Sequence, residues 1–482
     1  MSQADAAAPL PSPLDSSPQS SGAESSATDV RPGSGQVSPL KSILKTSLPA
    51  VVDLSSQTIM WTVESILIGR LSAAAFAGVG MALQVVVAML TLLLTFIVGA
   101  SLIINRSLGA DDKYEANHIF AQTMMLGICM AIVLGFFWFF GATNLFKLIK
   151  EGGMAAERAG VTYLRTLAVF APFFVTNFIA LGVVRSVGDT KYSMIINVGI
   201  NLLNLALAPL LIFGHFGLPR LEVQGAALAA GIAHTCGFCA TLYLLRSRKS
   251  VLLLSFRELS QPNWQTFRRL FKTGLPTTIE QLVWAFGQLV VTSYVALLGV
   301  VVLAAHQVFM RIQAVLSMVY MGFGMSAMTL MGKNLGAAKR RLAERTAEIS
   351  GWVIYAFVMI VVALLAIFSR PILQVFSTDA DVIRVGAFGL YFFALAQVPK
   401  AVNHVLMGNL RGAGDLQWLM WLSVAGVFVF HIGLNWAVVF LFKWPIVWTL
   451  VGVWLVHMLD ETARLAANYW RFRRGKWKYQ TV

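Results

Sequence analysis

A charged side chain at hydrocarbon depth costs about 2.5–3.5 kcal/mol on insertion scales, so each one in an apolar segment needs a reason. In the apolar run near 47–69, Asp53 and Glu64 are spaced three helical turns apart and share one helix face with Ser56, Gln57 and Met60. A carboxylate on such a face can exchange a proton or hold a cation. Glu64, mid-span, is the expected functional acid, with Asp53 beside it nearer the cytoplasmic end. In the run near 191–215, Asn197, Asn201 and Asn204 follow i, i+4, i+7 spacing, again one face. Such a stripe either ties helices together by hydrogen bonds or lines a hydrated cavity, and both readings stay open.

A second polar set lies in the other half of the chain. Glu280, Gln281 and Gln288 share one apolar run, and His306, Gln307 and Arg311 the next. Gln397, Lys400, Asn403 and His404 follow in a third, and His431 and Asn435 in a fourth. Glu280 must be protonated or paired, because an isolated buried charge is too costly; Lys400 and Arg311 are the expected partners. The expected substrate cavity is lined by Gln57, Met60, Asn197, Asn201, Glu280, Gln281, Gln288, Lys400 and Asn403. Asp460 and Arg464, four apart, read as a local salt bridge. Arg185/Asp189 and Arg411/Asp415 read as parts of tight turns around Gly188 and Gly414. Cys236 and Cys239 form a CxxC inside an apolar segment, where small packing residues are expected.

There is no phosphate-binding loop, no HExxH and no Cys/His cluster. No ATP motor, metal, cofactor or enzymatic activity is therefore expected.

The elements that carry these residues follow from composition. Of 482 residues, 57% are hydrophobic and only 12% charged, against about 25% in soluble domains. Mean hydropathy is +0.72. A soluble fold has no place for so much apolar surface. The runs are continuous and of bilayer length, whereas membrane barrel strands alternate. The net charge of +15 reads as basic cytoplasmic loops, not nucleic-acid binding.

The expected fold is all-α and integral to the membrane. About twelve spans lie near 47–69, 74–104, 118–142, 162–184, 191–215, 222–246, 272–298, 303–332, 347–369, 384–409, 416–441 and 446–470. With both termini inside, the inner loops hold roughly 24 Lys and Arg and the outer loops roughly 8. Residues 1–40, rich in Ser, Pro, Ala and Gly, are expected to form a disordered cytoplasmic tail. Residues 41–246 form an N-lobe, 247–271 an amphipathic cytoplasmic linker, 272–472 a C-lobe, and 473–482 a basic tail.

The halves repeat. Leu48-Pro49 matches Leu275-Pro276, with Asp53 and Glu280 at corresponding places, at an offset of 227 (48 to 275). Leu108-Gly109-Ala110 matches Leu335-Gly336-Ala337 at the same offset, 227 (108 to 335). Arg185-x-x-Gly188-Asp189 matches Arg411-x-x-Gly414-Asp415 at 226 (185 to 411). An even number of spans per half makes the repeat parallel: two pseudo-symmetric six-helix bundles, an architecture suited to alternating access.

"VESILIGRLSAAAFAGVG", "NRSLGA", "VVRSVGDTKYSMIINVGINLLNLALAPLLIFG", "GLPTTIEQL", "GKNLGA" and "LRGAGD" together resemble the multidrug and toxic compound extrusion (MATE) transporters over residues 45–472. The resemblance implies a twelve-helix, two-lobed antiporter exporting amphipathic, often cationic, compounds against H+ or Na+. It puts Glu64 at the family's first-helix acid, the N-lobe cation site, and Asn204 at its fifth-helix asparagine, so Glu64, Asn204 and Asp53 are the expected cation-coupling residues. Where the family often has an acid after that asparagine, this chain has Ala208. Lys400 and Trp284 stand where the NorM-like branch carries acids, and Glu280 lies one turn before the second of them. The resemblance thus implies a DinF-like relative, and the loss of carboxylate oxygens favours H+ over Na+.

The expected protein is a monomeric antiporter of the inner (plasma) membrane, with small organic substrates and H+, less so Na+, as its partners. A related reading is a flippase for lipid-linked sugars, which would use Lys400 and Arg311 against pyrophosphate.

Overall fold

A computed structural model describes residues 38–149, 153–217, 219–376, 379–442 and 444–480. The expected tail 1–40 therefore lies outside the described residues except at its end, where Pro39 already begins a helix.

The described chain is helical almost throughout. In the N-lobe, α1 (Pro39–Gly69), α2 (Ala73–Gly109) and α3 (Lys113–Ile149) are single spans. α4 (Gly153–Val169) and α5 (Ala171–Ser186) form one span bent by 71°. The bend follows from Pro172 near the start of α5, where a ring without an N–H interrupts the backbone ladder. α6 (Thr190–Phe213) and α7 (Glu222–Arg246) complete the lobe.

A short helix, α8 (Phe256–Leu259), lies in the connection to the C-lobe. The C-lobe contains α9 (Trp264–Ala296), α10 (Val300–Gly336), α11 (Arg340–Ile367), the short α12 (Ser369–Phe376) and α13 (Ala380–Gly412). α14 (Leu416–Gly426) continues as π-helix as far as Leu441, and α15 (Ile446–Arg473) closes the lobe. Twelve spans in two sets of six result, the fold expected from the sequence.

Among the described residues, nine helices are long and apolar enough to cross a bilayer singly, and the bent pair makes a tenth span. The two remaining spans, α1 and α9, are the first of each lobe and carry Asp53, Glu64 and Glu280. Their polarity is what the repeat conserves between the halves.

Several boundaries differ from the sequence reading. α9 starts at Trp264, so the helix takes in the last part of the segment read as linker. The Asn263 side chain caps it, accepting from the backbone N–H of Gln265 and Thr266. The segment after Arg473 is packed, with Trp477 buried and stacked on Phe472. Cys236 and Cys239 are exposed on α7, contrary to the expectation of packing residues. In lipid, an exposed thiol on a helix surface needs no buried partner.

Packing follows membrane logic: apolar burial gives little drive within lipid, and close contact of small residues substitutes for it. The N-lobe core is built largely from Ala, Val, Ile and Leu of α2, α3, α5 and α7. A separate C-lobe cluster joins α9, α10, α13 and α15 around Phe309, Phe393 and Trp454.

Candidate functional site

In the N-lobe, α1 packs along α6 and the two polar stripes meet. Asp53 is fully buried. Ser193 donates its hydroxyl proton to Asp53 Oδ2 at 2.7 Å, and Asn197 Nδ2 donates to Oδ1 at 2.8 Å. Arg185 Nε lies 3.5 Å from the same carboxylate. Asn201 Nδ2 donates to the Ser56 hydroxyl at 2.9 Å. Asn197 and Asn201 thus act first as ties between α1 and α6. Gln57 and Asn197 also border a cavity with Asn177, Arg185 and His234, with room for about one water molecule.

Glu64 lies further along α1. It is buried, and Tyr163 of α4 donates its phenolic proton to Glu64 Oε1 at 2.9 Å. The α1–α6 ties carry residue offsets of 140, 144 and 145, and the same register sets Asn204 level with residues 59 to 64. Asn204 is buried, and its Oδ1 has no hydrogen-bond partner among the described residues. Met60, also buried, occupies the turn between.

Burial with or without a counter-charge separates Glu64 from the other acids. Six acidic residues are buried among those described: Asp53, Glu64, Glu280, Asp415, Asp460 and Glu461. Asp53, Glu280, Asp415, Asp460 and Glu461 each have an Arg or Lys nitrogen within 4.0 Å. Glu64 has a phenol.

The C-lobe corrects the expected pairing of Glu280. Its partner is Arg411, whose Nη2 donates to Oε1 at 2.7 Å. Arg311 is exposed on α10. Lys400 is buried elsewhere, 3.2 Å from His457 Nε2 and 3.8 Å from Glu461 Oε1, with Trp284 beneath its ammonium at 5.8 Å. The turn expected at Arg411 is present as well: Gly414 has φ +88° and Gly188 φ +96°, conformations open to glycine. The arginine that opens each turn also reaches back to the first-span acid of its own lobe.

Around Lys400 the C-lobe holds a buried polar network. Asn403 donates to Glu461 Oε2 at 3.0 Å, and Asn468 donates to Asn403 Oδ1 at 2.9 Å. Arg464 grips Asp460 through two hydrogen bonds of 2.8 and 2.6 Å, the expected local bridge, and His431 Nε2 adds a third contact at 3.1 Å. Gln288, His306, Asn435, Trp454 and His457 border a second water-sized cavity. Gln281 is half-buried on α9. Neither cavity has the volume of an organic cation.

Tyr163, His457 and Glu461 were missed by sequence reasoning. A tyrosine carries no charge to draw notice at membrane depth. Glu461, beside Asp460 and Arg464, was hidden by an apparently complete local pair.

The hydrogen bonds that join the lobes gather at one end, the basic one. Thr95 bonds Thr278, Ser326 donates to Ile43 O at 3.3 Å, and Thr329 donates to Ser186 O at 2.6 Å. Arg106 donates to Ala413 O at 2.7 Å and to Gln480 O at 2.6 Å. Toward the other end, the C-lobe apolar cluster draws on C-lobe residues alone.

Two six-span bundles, joined at one end and each with buried polar groups at membrane depth, have the architecture of a multi-pass membrane transporter. The MatE family model matches residues 49–210 and 276–437, one match per lobe, and the chain belongs to this family of transporters. It is 24% identical to the probable multidrug resistance protein NorM of Thermotoga maritima, over 92% of this chain and 94% of that protein. It is 25% identical to the multidrug resistance protein PmpM of Pseudomonas aeruginosa, over 79% and 80% of the two chains. Its fold is similar to that of a solved MOP superfamily transporter from Pyrococcus furiosus, with a TM-score of 0.82 at 21% identity over 92% of this chain and 97% of that one.

Proposed function

We propose that this transporter is a monomeric, proton-coupled exporter of amphipathic organic cations, seated in the inner membrane with both termini cytoplasmic. The single observation that carries the reading is Glu64, the buried acid with no basic neighbour among the described residues. A carboxylate locked to an arginine is already neutralised. One whose hydrogen-bond partner is a phenol, with no basic group beside it, must take its counter-charge from a mobile species. A proton and a cationic substrate then compete for the same lobe.

The basic end of the bundle is cytoplasmic on the positive-inside rule. Joined there, the protein is open outward. A proton reaching Glu64 from outside removes its charge, α1 shifts against the amide face of α6, and the cation leaves. Deprotonation toward the cytoplasm restores the carboxylate. The substrate enters through the space between the lobes, since the cavities inside each lobe are water-sized.

Two comparisons sharpen the reading. Sodium wants several hard oxygens, and the position one turn after Asn204 is Ala208, which offers none. A pyrophosphate flippase would need free cations in the cleft, whereas Lys400 is neutralised by Glu461. Lys400 in place of an acid also supports a DinF-like over a NorM-like relative.

The test is uptake of a fluorescent organic cation into inverted vesicles, driven separately by a pH gradient and a sodium gradient. Uptake driven by the pH gradient supports the reading. Uptake driven by sodium alone overturns it.

A further inference from the structure

The two repeated loop motifs also face each other across the lobes. Arg106 and Lys333 are repeat-related, at the same offset of 227 (106 to 333), at the basic ends of α2 and α10. Each points at the other lobe's Arg-x-x-Gly-Asp turn. Arg106 donates to the carbonyl of Ala413, inside the Arg411–Asp415 turn. Lys333 Nζ lies 3.4 Å from where a Cβ on Gly188 would sit, and it interacts electrostatically with Asp189.

The helices beneath are equally reciprocal. A side chain on Gly109 would strike the carbonyl of Lys333, and one on Gly336, its repeat mate, would strike the carbonyl of Arg106. The two helix ends touch backbone to backbone about the pseudo-twofold axis.

Each turn is itself tied to its own lobe. Its arginine holds the first-span acid: Arg185 with Asp53, Arg411 with Glu280. Its aspartate holds the end of its lobe or the segment that follows it. Asp189 accepts from Ser250 and Val251 at 2.6 and 2.7 Å; Asp415 accepts from Arg471 at 2.6 Å and from Gln480 at 3.1 Å.

We propose that these motifs form a reciprocal latch, the cytoplasmic gate, in which each lobe's basic residue clasps the other lobe's turn. The lobes cannot part at this end without breaking both clasps. Because each turn is anchored to the polar first span, movement of α1 or α9 bears directly on the latch. The cytoplasmic placement rests on the orientation proposed above.

The test uses the full chain with Cys129, Cys236 and Cys239 replaced by serine and Thr278→Cys as reporter. Thr278 is buried at the lobe contact, so a membrane-impermeant maleimide should reach it slowly in inverted vesicles. Arg106→Gln should speed labelling about tenfold because it removes a charge-assisted hydrogen bond, Lys333→Gln by a smaller but measurable factor because it removes an electrostatic attraction to Asp189, and the double variant most of all. Arg384→Gln, exposed at the other end, should leave labelling unchanged. If Arg106→Gln fails to accumulate, Lys333→Gln decides alone. Unchanged labelling in the latch variants on both sides of the membrane, or equal acceleration by Arg384→Gln, overturns the latch. Acceleration seen only in right-side-out vesicles supports the latch and overturns the orientation.

Discussion

The N-lobe buries two carboxylates and leaves Glu64 facing a tyrosine, while the C-lobe buries Glu280, Asp415, Asp460 and Glu461 and sets a cation against each. The lobes share a fold and a repeat, so the difference is not architectural. It shows how a duplicated bundle can divide labour. A paired carboxylate fixes one helix to another at every stage of a transport cycle, and an unpaired one changes its charge as the cycle proceeds. The repeat-related pairs Asp53–Arg185 and Glu280–Arg411 show the first use in both lobes, and Glu64 shows the second in one.

Substitutions can break this contrast. Glu64→Gln keeps an acceptor for Tyr163 but cannot exchange a proton. It is expected to lower pH-driven efflux by about a hundredfold or more, as loss of an essential acid–base group does, with thermal stability preserved. Vesicle uptake and a melting curve, measured together, check it. Glu280→Gln should do the reverse where stability is concerned. It strands the Arg411 charge in a buried site at a cost of about 3–5 kcal/mol, seen as a large fall in melting temperature. A Glu280→Gln protein as stable as the parent would erase the distinction between the lobes.

Tyr163→Phe tests the environment of Glu64 more gently. Losing one hydrogen bond to a buried carboxylate is expected to slow transport about tenfold while expression holds. Asn201→Ala removes only the tie to Ser56 and should cost about 1 kcal/mol of stability, with coupling intact. If Asn201→Ala uncouples transport as strongly as Glu64→Gln, the amide stripe is part of the coupling site and not a helix tie.

Much of this was legible in the sequence because membranes enforce simple rules. Continuous apolar runs gave the spans, and the constant offset gave two lobes. The meeting of the polar faces of α1 and α6 was legible too, since periodicity alone puts Asp53 and Asn197 on faces that can meet. The partner of Glu280 was not legible from nearness in hydropathy or sequence. Yet acids 227 apart and arginines 226 apart already hinted that each acid belongs to the arginine of its own lobe. Tyr163 gave no signal, because its bond to Glu64 joins α4 to α1 across 99 residues, and spacing carries no information about such a contact. The network of Lys400, His457 and Glu461 joins residues on two spans, and sequence spacing carries no information about such contacts.

The most direct measurement is proton release on substrate binding, followed with a pH-sensitive dye in weakly buffered detergent solution. The parent protein is expected to release up to about one proton per organic cation bound, and Glu64→Gln none. Equal release from both proteins would contradict Glu64 as the group where proton and substrate compete.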